Sequence, residues 1–307
     1  MRSPSLIELP PPPDMVTVWP WTRGSQPLPE AAPDGRPWPR LSIVILSMNQ
    51  HRFLEHALRS VLLQAYPRLE IIVMDGGSTD GSVATLQKYD PWLQHWASRP
   101  DGGPADALNS GFGLASGEIL GFLNADDFYL PDSLGKVAGQ FTVAPGTEVV
   151  SGNGYFATES GDLGVRAFSD VWNLTRFRYG ACVLLQPATF FRRAAFERTS
   201  GFRQSGRVCW DMELWADLAG SGASFGSINA NLAAFRLHDE SLTASTTHQR
   251  RRREDARAVM AEMRGRPESP VDRLAHALFR LAKFSRHPCR SLSQRTFFHT
   301  TLKRWSL

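Results

Sequence analysis

The 307-residue sequence has no apolar run long enough to span a bilayer. Its wholly apolar runs, such as Ile43–Leu46 and Ile71–Met74, fall far short of the ~20 residues that a membrane-spanning helix needs. At the N-terminus one arginine precedes a proline-rich tract instead of an apolar core, so a signal peptide is not expected. These absences favour a cytoplasmic protein.

Cysteine is scarce as well. Cys182, Cys209 and Cys289 lie far apart and form no C-x-x-C pair. This spacing argues against a disulfide framework, a zinc knuckle or a redox dithiol, and we expect buried thiols instead.

Acidic residues are depleted near the C-terminus. Residues 245–307 contain fifteen Lys or Arg against five Asp or Glu, a local balance of +10 within a chain of +4, so residues 1–244 carry −6. Such a tail could contact anionic lipid, but Arg250–Arg253 is equally compatible with one solvated helix face. No helix-turn-helix, zinc-finger or aromatic-basic signature accompanies the charge, so nucleic acid is not an expected partner.

Composition divides the chain into three parts. Residues 1–40 hold eleven of the 21 prolines and predict an extended N-terminal arm, whose two Trp-Pro steps suggest that it packs onto the body. Residues 41–245 form the predicted globular body, with a first half at 41–130 and a second half at 131–245. Residues 246–307 are predicted to be a basic helical tail.

Between 41 and 130, buried-strand patterns alternate with helical ones. Strands are predicted at 41–46, 69–74 and 118–123, with helices from Phe53 and from Pro104. This alternation predicts a parallel α/β sheet with helices on both faces. A mixed second half follows, in which 211–218 is the clearest helix.

Polar residues stand where these strands stop, at Ser47, Asn49, Asp75, Asn124, Asp126 and Asp127. The carboxyl ends of parallel strands share one edge, where ligands of such sheets bind. Three acidic side chains at one edge repel one another unless a cation or hydrogen-bond donors compensate. A divalent ion that holds a substrate diphosphate would do so, although turn and helix capping by each Asp is the alternative.

The motifs at these strand ends resemble the four signatures of family 2 glycosyltransferases in order and spacing. The resemblance continues through the second half and covers residues 41–245. It implies a catalytic domain with a nucleotide-sugar-binding half at 41–130 and an acceptor and catalytic half at 131–245. The matching segments are Ser42–Gln50, Val73–Gly81, Pro100–Gly103, Phe122–Asp127, Gln186–Arg193, Asp211–Trp215 and Phe235–His238.

The resemblance implies an α/β fold of the GT-A type, with a mostly parallel central sheet and helices on both faces. It also implies a nucleotide-diphosphate sugar donor, Mg²⁺ or Mn²⁺, and inversion at the anomeric carbon. The donor-binding residues that it implies are Ser47, Asn49, Asp75, Asp101, Asn109 and Asn124.

The implied metal ligands centre on Asp126, the second acid of the family's Asp-any-Asp motif. Asn124 stands where the first acid is usual, which removes one charge and leaves Asp127 to compensate in part. His238 is expected to be a third metal ligand or to bind the diphosphate, with a structural role as the alternative.

Asp211 aligns with the catalytic base of the family, at the predicted start of a helix. An inverting displacement needs a carboxylate that takes the proton of the acceptor hydroxyl. An N-cap role for Asp211 is compatible with catalysis, and Glu213 is the fallback base. Arg192 and Arg193 either position an acceptor or face water.

We therefore expect an enzyme that transfers one sugar, most simply from a UDP-sugar, to a glycan or lipid-linked glycan in bacterial cell-envelope polysaccharide synthesis. The signature Gln-x-x-Arg-Trp of processive synthases is absent. The basic tail would place the enzyme at the inner face of the plasma membrane. The alternative is a catalytically idle scaffold that binds glycans or nucleotide sugars, to which the Asn124 departure points.

Overall fold

A computed structural model describes residues 4–12, 18–239 and 246–286. Cys289 lies outside these ranges. The strands are β1 (Leu41–Ser47), β2 (Leu69–Asp75), β3 (His95–Ser98), β4 (Ile119–Asn124), β5 (Phe128–Tyr129), β6 (Val149–Ala157), β7 (Leu163–Ala167), β8 (Thr189–Arg192) and β9 (Phe225–Arg236). The helices are α1 (His51–Leu62), α2 (Ser82–Tyr89), α3 (Pro104–Leu114), α4 (Ser133–Val143), α5 (Leu174–Arg178), α6 (Arg193–Phe196), α7 (Trp210–Gly220), α8 (Thr246–Arg264) and α9 (Pro270–Arg286).

These strands form one sheet in the order β3-β2-β1-β4-β8-β6-β9-β5, with β7 added beside β6. The pairs among β1, β2, β3 and β4 are parallel, as the βα alternation predicts. Antiparallel pairs enter with β8, β7 and β5, while β6 and β9 pair in parallel. The first half is therefore the classical βα part, and the second half is mixed.

Helices cover both faces of this sheet, as expected. Apolar residues of α1, α2 and α4 pack on one face, together with alternate side chains of β1 and β2. Those of α3 and α7 pack on the other face. Because the central strands are covered on both sides, β1 is buried along its whole length, which explains its unbroken apolar run.

The proline-rich arm packs onto the body, and this prediction is confirmed. Trp19, Trp21 and Trp38 are all buried. The indole N–H of Trp19 donates to the Tyr129 carbonyl oxygen at 2.7 Å. The arm is thus part of the packed structure in its described portion.

The predicted tail begins with a helix that belongs to the body. In α8, Val259 is 1% exposed and joins the same core as α7. The composition boundary at 245 therefore does not coincide with a structural one. Cys182 and Cys209 are buried free thiols, as predicted. No helix among the described residues is long and apolar enough to cross a membrane.

Candidate active site

The carboxyl edge of β1, β2 and β4 collects the predicted donor-site residues. Ser47 pairs in register with Asp75, and Leu46 pairs with Asn124. Asp75 in turn pairs with Ser98 at the end of β3. The ends of β1, β2 and β4 therefore lie in one row, as the sequence predicts, and the end of β3, which it does not predict, joins them.

Asp75 is held by donors on several sides. One carboxylate oxygen, Oδ2, accepts from the Ser78 N–H at 2.8 Å and from the Ser98 hydroxyl at 2.6 Å. The other, Oδ1, accepts from the Ser78 hydroxyl at 2.6 Å. Burial alone would raise the pKa of Asp75, but these hydrogen bonds outweigh it and hold the pKa below its ordinary value. Asp75 is thus prepared as an ionised acceptor.

Asn49 connects the end of β1 to the loop after β2. Its backbone N–H donates to the Ser78 hydroxyl at 2.7 Å, and its side-chain oxygen accepts from the Thr79 N–H at 2.9 Å. Asn49 adopts the left-handed conformation at a φ of 52°, which Asn tolerates better than most residues. It is exposed and fixes the shape of the rim.

Asp101 reaches the same rim from the loop before α3. It is exposed, and its Oδ1 accepts from the Gly103 N–H at 2.8 Å. A Cβ at Gly76 would lie 2.8 Å from the Met48 sulfur and 3.4 Å from Asp101 Oδ2. Glycine at 76 therefore lets the β1 and β3 loops approach the end of β2 closely.

Asn109 is used differently from the donor contact predicted for it. Its amide nitrogen donates to the Phe202 carbonyl at 2.7 Å, and its oxygen accepts from the Phe202 N–H at 2.8 Å. This two-way pairing fastens the loop near 202 to α3. The partner lies 93 positions away in the chain, so no local pattern could reveal it.

Asn124, at the usual place of the first acid, meets Gln186. Its amide nitrogen donates to the Gln186 side-chain oxygen at 3.3 Å. The Gln186 amide then donates to the Phe122 carbonyl at 3.1 Å. The Asn124 side chain suits this chain of hydrogen bonds, because its NH₂ group can donate to the Gln186 side-chain oxygen and an ionised carboxylate could not.

Asp126 and His238 form a pair just beyond the end of β4. His238 Nε2 lies 3.1 Å from Asp126 Oδ2. The His238 side chain is fully buried, whereas Asp126 is 20% exposed. The ring packs on Phe53, with the centroids 4.7 Å apart. Buried imidazole and accessible carboxylate thus present one nitrogen and one oxygen in the same place.

Asp127 turns away from this pair, in contrast to the metal contact predicted for it. Its Oδ1 accepts from the Arg236 backbone N–H at 2.9 Å, and the side chain is buried. Its Oδ2 has no hydrogen-bond partner among the described residues. Burial, followed by the nearby Asp126 charge, raises the pKa of Asp127 well above its ordinary value.

Arg236 is the residue that sequence reasoning missed. Its guanidinium donates to the Asp126 carbonyl at 2.6 Å and to the Glu159 carbonyl at 2.6 Å. It also lies 3.2 Å from His56 Nδ1. Burial lowers the pKa of Arg236 to about 10 and that of His56 to about 3. The only sequence signal was its place two residues before His238.

Asp211 lies in the first turn of α7, as predicted. That turn packs on β4, because the Trp210 ring lies 5.4 Å from the Phe122 ring. Phe122 is two residues before Asn124, so the start of α7 lies near the carboxyl end of β4. Burial raises the pKa of Asp211, and the backbone N–H groups of the helix start oppose this in part.

The loop before α7 is braced by α8. The Val208 N–H donates to Asp255 Oδ2 at 2.8 Å. Arg207 bridges Glu213 at 2.8 Å and Glu262 at 2.6 Å. Glu213 is fully buried and also accepts from the Ser205 hydroxyl, so it is a structural anchor and an unsuitable base.

The two arginines after β8 are also structural. The Arg192 guanidinium donates to the carbonyls of Thr147 and Phe141, each at 2.9 Å. Arg193 donates to the Gly117 carbonyl at 2.8 Å. Neither guanidinium simply faces water, which was one of the two alternatives expected for them.

The chemistry of the Asp126–His238 pair suits a divalent ion in part. Within residues 4–12, 18–239 and 246–286, no three His, Cys, Asp or Glu side chains are grouped to hold a metal by themselves. His238 Nδ1 is buried and has no hydrogen-bond partner in these ranges. Two protein ligands of this kind fit an ion that takes its other ligands from a substrate diphosphate and water.

A family model described as glycosyl transferase family 2 matches residues 42–198. That match covers half of the chain. The chain belongs to glycosyl transferase family 2. The family resemblance and the enzyme class predicted from it are thereby confirmed, and the protein is a glycosyltransferase.

Among curated relatives of this family 2 enzyme, an uncharacterized glycosyltransferase of Mycobacterium tuberculosis is 32% identical over 185 residues. The match spans 57% of this chain and 67% of that one. A Campylobacter jejuni GalNAc(5)-diNAcBac-PP-undecaprenol beta-1,3-glucosyltransferase is 36% identical over 100 residues, 31% of this chain and 32% of that one.

Solved structures confirm the GT-A fold. TarS 1–349 of S. aureus, in complex with UDP-GlcNAc, aligns with a TM-score of 0.57 at 18% identity, over 73% of this chain and 66% of that one. The mannosyltransferase PcManGT of Pyrobaculum calidifontis, with GDP-Man and Mn²⁺, aligns with a TM-score of 0.55 at 18% identity, over 89% and 88%. The chain spans about two thirds of the length of the TarS fragment and of the mycobacterial relative.

Proposed function

We propose that this family 2 glycosyltransferase is an inverting, metal-dependent enzyme that transfers one sugar by direct displacement. The donor is a nucleotide-diphosphate sugar, a UDP-sugar in the first instance, and the acceptor is a glycan or a lipid-linked glycan. The observation that carries the proposal is the Asp126–His238 pair at the strand edge that also holds Asp75.

Asp75 receives the nucleoside in this proposal. Its lowered pKa keeps it ionised, so it can accept hydrogen bonds from base or ribose donors. Ser47, Asn49 and Asp101 surround it at the ends of neighbouring strands. Solved relatives in fold carry UDP, UDP-GlcNAc or GDP-Man, which supports this donor class.

Asp126 and His238 are the residues that would hold Mg²⁺ or Mn²⁺ in this proposal. When bound, the ion supplies positive charge against the negative charge that develops on the departing diphosphate. An imidazole ligand suits Mn²⁺ better than Mg²⁺, so we expect Mn²⁺ to support higher activity. The Arg236 guanidinium holds the backbone of Asp126 in place during this step.

Asp211 is the general base of the proposed reaction. It accepts the proton of the acceptor hydroxyl while that oxygen attacks the anomeric carbon, and the bond to the diphosphate breaks on the opposite side. Burial raises the pKa of Asp211 toward the working pH, which improves proton transfer. Asn109 anchors the neighbouring loop and takes no part in donor binding.

The proposed acceptor is presented at the inner face of the plasma membrane, which the protein reaches from the cytoplasm through its basic C-terminal part. The Campylobacter relative is named for action on an undecaprenol-linked glycan, which supports this acceptor class. The local balance of +10 after residue 244 supports contact with anionic lipid.

A thermal-shift panel of UDP-, GDP- and dTDP-sugars, each with and without Mn²⁺, tests the donor proposal. A ligand that binds only the native state raises the melting temperature. We expect a shift with a UDP-sugar that increases when Mn²⁺ is present. The absence of a shift with every donor would contradict the proposal and would favour the scaffold alternative.

A further inference from the structure

The outward face of α9 lies outside the candidate active site. α9 spans Pro270–Arg286 and contains no residue of the candidate active site. Four of its large apolar side chains, Val271, Leu274, Leu278 and Leu281, are 71%, 60%, 56% and 63% exposed. Their spacings of three and four residues place them on one side of the helix.

Polar anchors fix this orientation. Asp272 accepts from Arg266 at 2.6 Å and is 2% exposed. His276 Nδ1 lies 2.7 Å from the Tyr179 carbonyl oxygen, and Lys283 lies 2.7 Å from Asp170. Because His276 and Lys283 contact the body while Asp272 pairs within the turn before α9, the helix cannot turn its apolar stripe inward without losing the contacts with Tyr179 and Asp170.

The exposed charges of α9 itself are all positive. Arg273 and Arg280 are exposed, and the single acid of α9, Asp272, is buried. Arg273 lies 3.4 Å from Glu268, whereas Arg280 makes no ion pair with any described residue. Asp272 is also the last acid of the sequence, and residues 273–307 contain eight Lys or Arg.

This charge pattern distinguishes between possible occupants of the stripe. Two α9 helices paired through it would offer no opposite charge to Arg273 and Arg280, because α9 has no exposed acid. An anionic lipid surface offers apolar chains to the leucines and phosphate groups to the arginines at once. Charge complementarity therefore favours the lipid surface.

We propose that the stripe of Val271, Leu274, Leu278 and Leu281, together with Arg273 and Arg280 on one side of it, docks the enzyme on a membrane surface that contains anionic phospholipid. This inference names the surface that makes the membrane contact proposed above, and it rests on that proposed function. The proposed docking surface lies on α9 and does not need Arg250–Arg253 of α8 for lipid binding.

The test is flotation of the full chain with vesicles of phosphatidylcholine alone or mixed with phosphatidylglycerol, without any sugar donor. We expect the protein to float with the mixed vesicles and to remain behind with the neutral ones. The double variant Leu274→Glu, Leu278→Glu should lower the partition coefficient by more than about tenfold, since two apolar side chains no longer enter the lipid. Arg280→Gln should lower it about fivefold.

A double variant with the same change of charge is available as a control. Val143 and Leu163 are exposed apolar residues of α4 and β7, at 63% and 49%. Val143→Glu, Leu163→Glu should float like the unaltered protein. Equal flotation of the α9 variant and this control would overturn the proposal, as would failure of the unaltered protein to float.

Light scattering after gel filtration tests the other possible occupant of the stripe, which is a second copy of this chain. A dimer that dissociates on Leu274→Glu, Leu278→Glu would assign the stripe to a second copy and would overturn the lipid proposal.

A soluble-acceptor assay separates this inference from the proposed function. If the unaltered protein transfers sugar but does not float, only the docking surface is contradicted. If it floats but does not transfer sugar, only the proposed reaction is contradicted.

Discussion

The two sides of the candidate site differ in how their carboxylates are satisfied. At β2, Asp75 accepts three hydrogen bonds and has a lowered pKa. Near β4 and α7, Asp127 and Asp211 have raised pKa values, and Asp127 keeps one oxygen without a partner among the described residues. On the side proposed for the nucleoside, the Asp75 carboxylate is hydrogen-bonded through both oxygens, whereas on the side proposed for the reaction the carboxylates of Asp127 and Asp211 favour protonation.

Loss of the base should have the largest effect. Asp211→Asn keeps the size of the side chain but cannot take a proton, so we expect the transfer rate to fall by about 10²–10⁴-fold. Donor binding should remain, because Asp211 is assigned to the acceptor. Rate measurement beside donor titration checks both expectations. Asp34→Asn, at an exposed position outside the site, is the control and should leave both quantities unchanged.

The Asp126–His238 pair should control the use of the metal. Substitution Arg236→Lys keeps the charge but cannot reproduce the three guanidinium contacts with Asp126, Glu159 and His56. We expect the apparent affinity for Mn²⁺ to fall by about 10–100-fold, as is usual when a residue that supports a ligand is lost. Titration of activity with Mn²⁺ measures this affinity. A lower melting temperature with unchanged Mn²⁺ dependence would show a purely structural role.

Replacement of Asp75 should weaken the nucleoside side. In Asp75→Asn an NH₂ group replaces one acceptor oxygen and opposes the donors from Ser78 or Ser98, so we expect a loss of about 1–3 kcal/mol in the free energy of unfolding. The pKa of Asp75 is lowered in the folded state, so its stabilisation is present above the unfolded pKa and is lost as the pH falls through the folded one. Denaturant titration across acidic pH should therefore show a shallower loss of stability in the variant.

Asp127→Asn should have the smallest effect, and it should stabilise the protein instead of destabilising it. The folded state raises the pKa of Asp127, so it binds more protons than the unfolded state, and stability falls as the pH rises between the two pKa values. The amide removes this cost while its oxygen still accepts from the Arg236 N–H. We expect the melting temperature at neutral pH to rise by about 2–4 °C. A fall would mean that the Asp127 charge is needed beside Arg236.

Local patterns predicted the elements that depend on near neighbours. The strand edge with Asp75 and Asp126, the helix that begins near Asp211 and the helix of α9 all follow from apolar spacing and motifs. The short edge strand β3 escaped prediction because His95–Ser98 has neither an apolar run nor clear alternation.

Long-range pairing explains what the sequence could not predict. Asn109 meets Phe202 93 positions away, and Asp127 meets Arg236 109 positions away. Such hydrogen bonds decide whether a polar side chain near a site faces the ligand or the backbone. The same reason applies to α9, whose periodicity predicts a helix but whose outward face follows from distant anchors such as Tyr179 and Asp170.

The most direct measurement is a crystal structure of the full chain with a UDP-sugar and Mn²⁺, in which anomalous scattering locates the manganese. We predict one manganese ion coordinated by Asp126 and His238, the nucleoside hydrogen-bonded to Asp75, and the Asp211 carboxylate facing the anomeric carbon from the side opposite the diphosphate. Manganese bound elsewhere, or Asp211 on a surface remote from the sugar, would contradict the proposed division between a prepared nucleoside side and a reacting side.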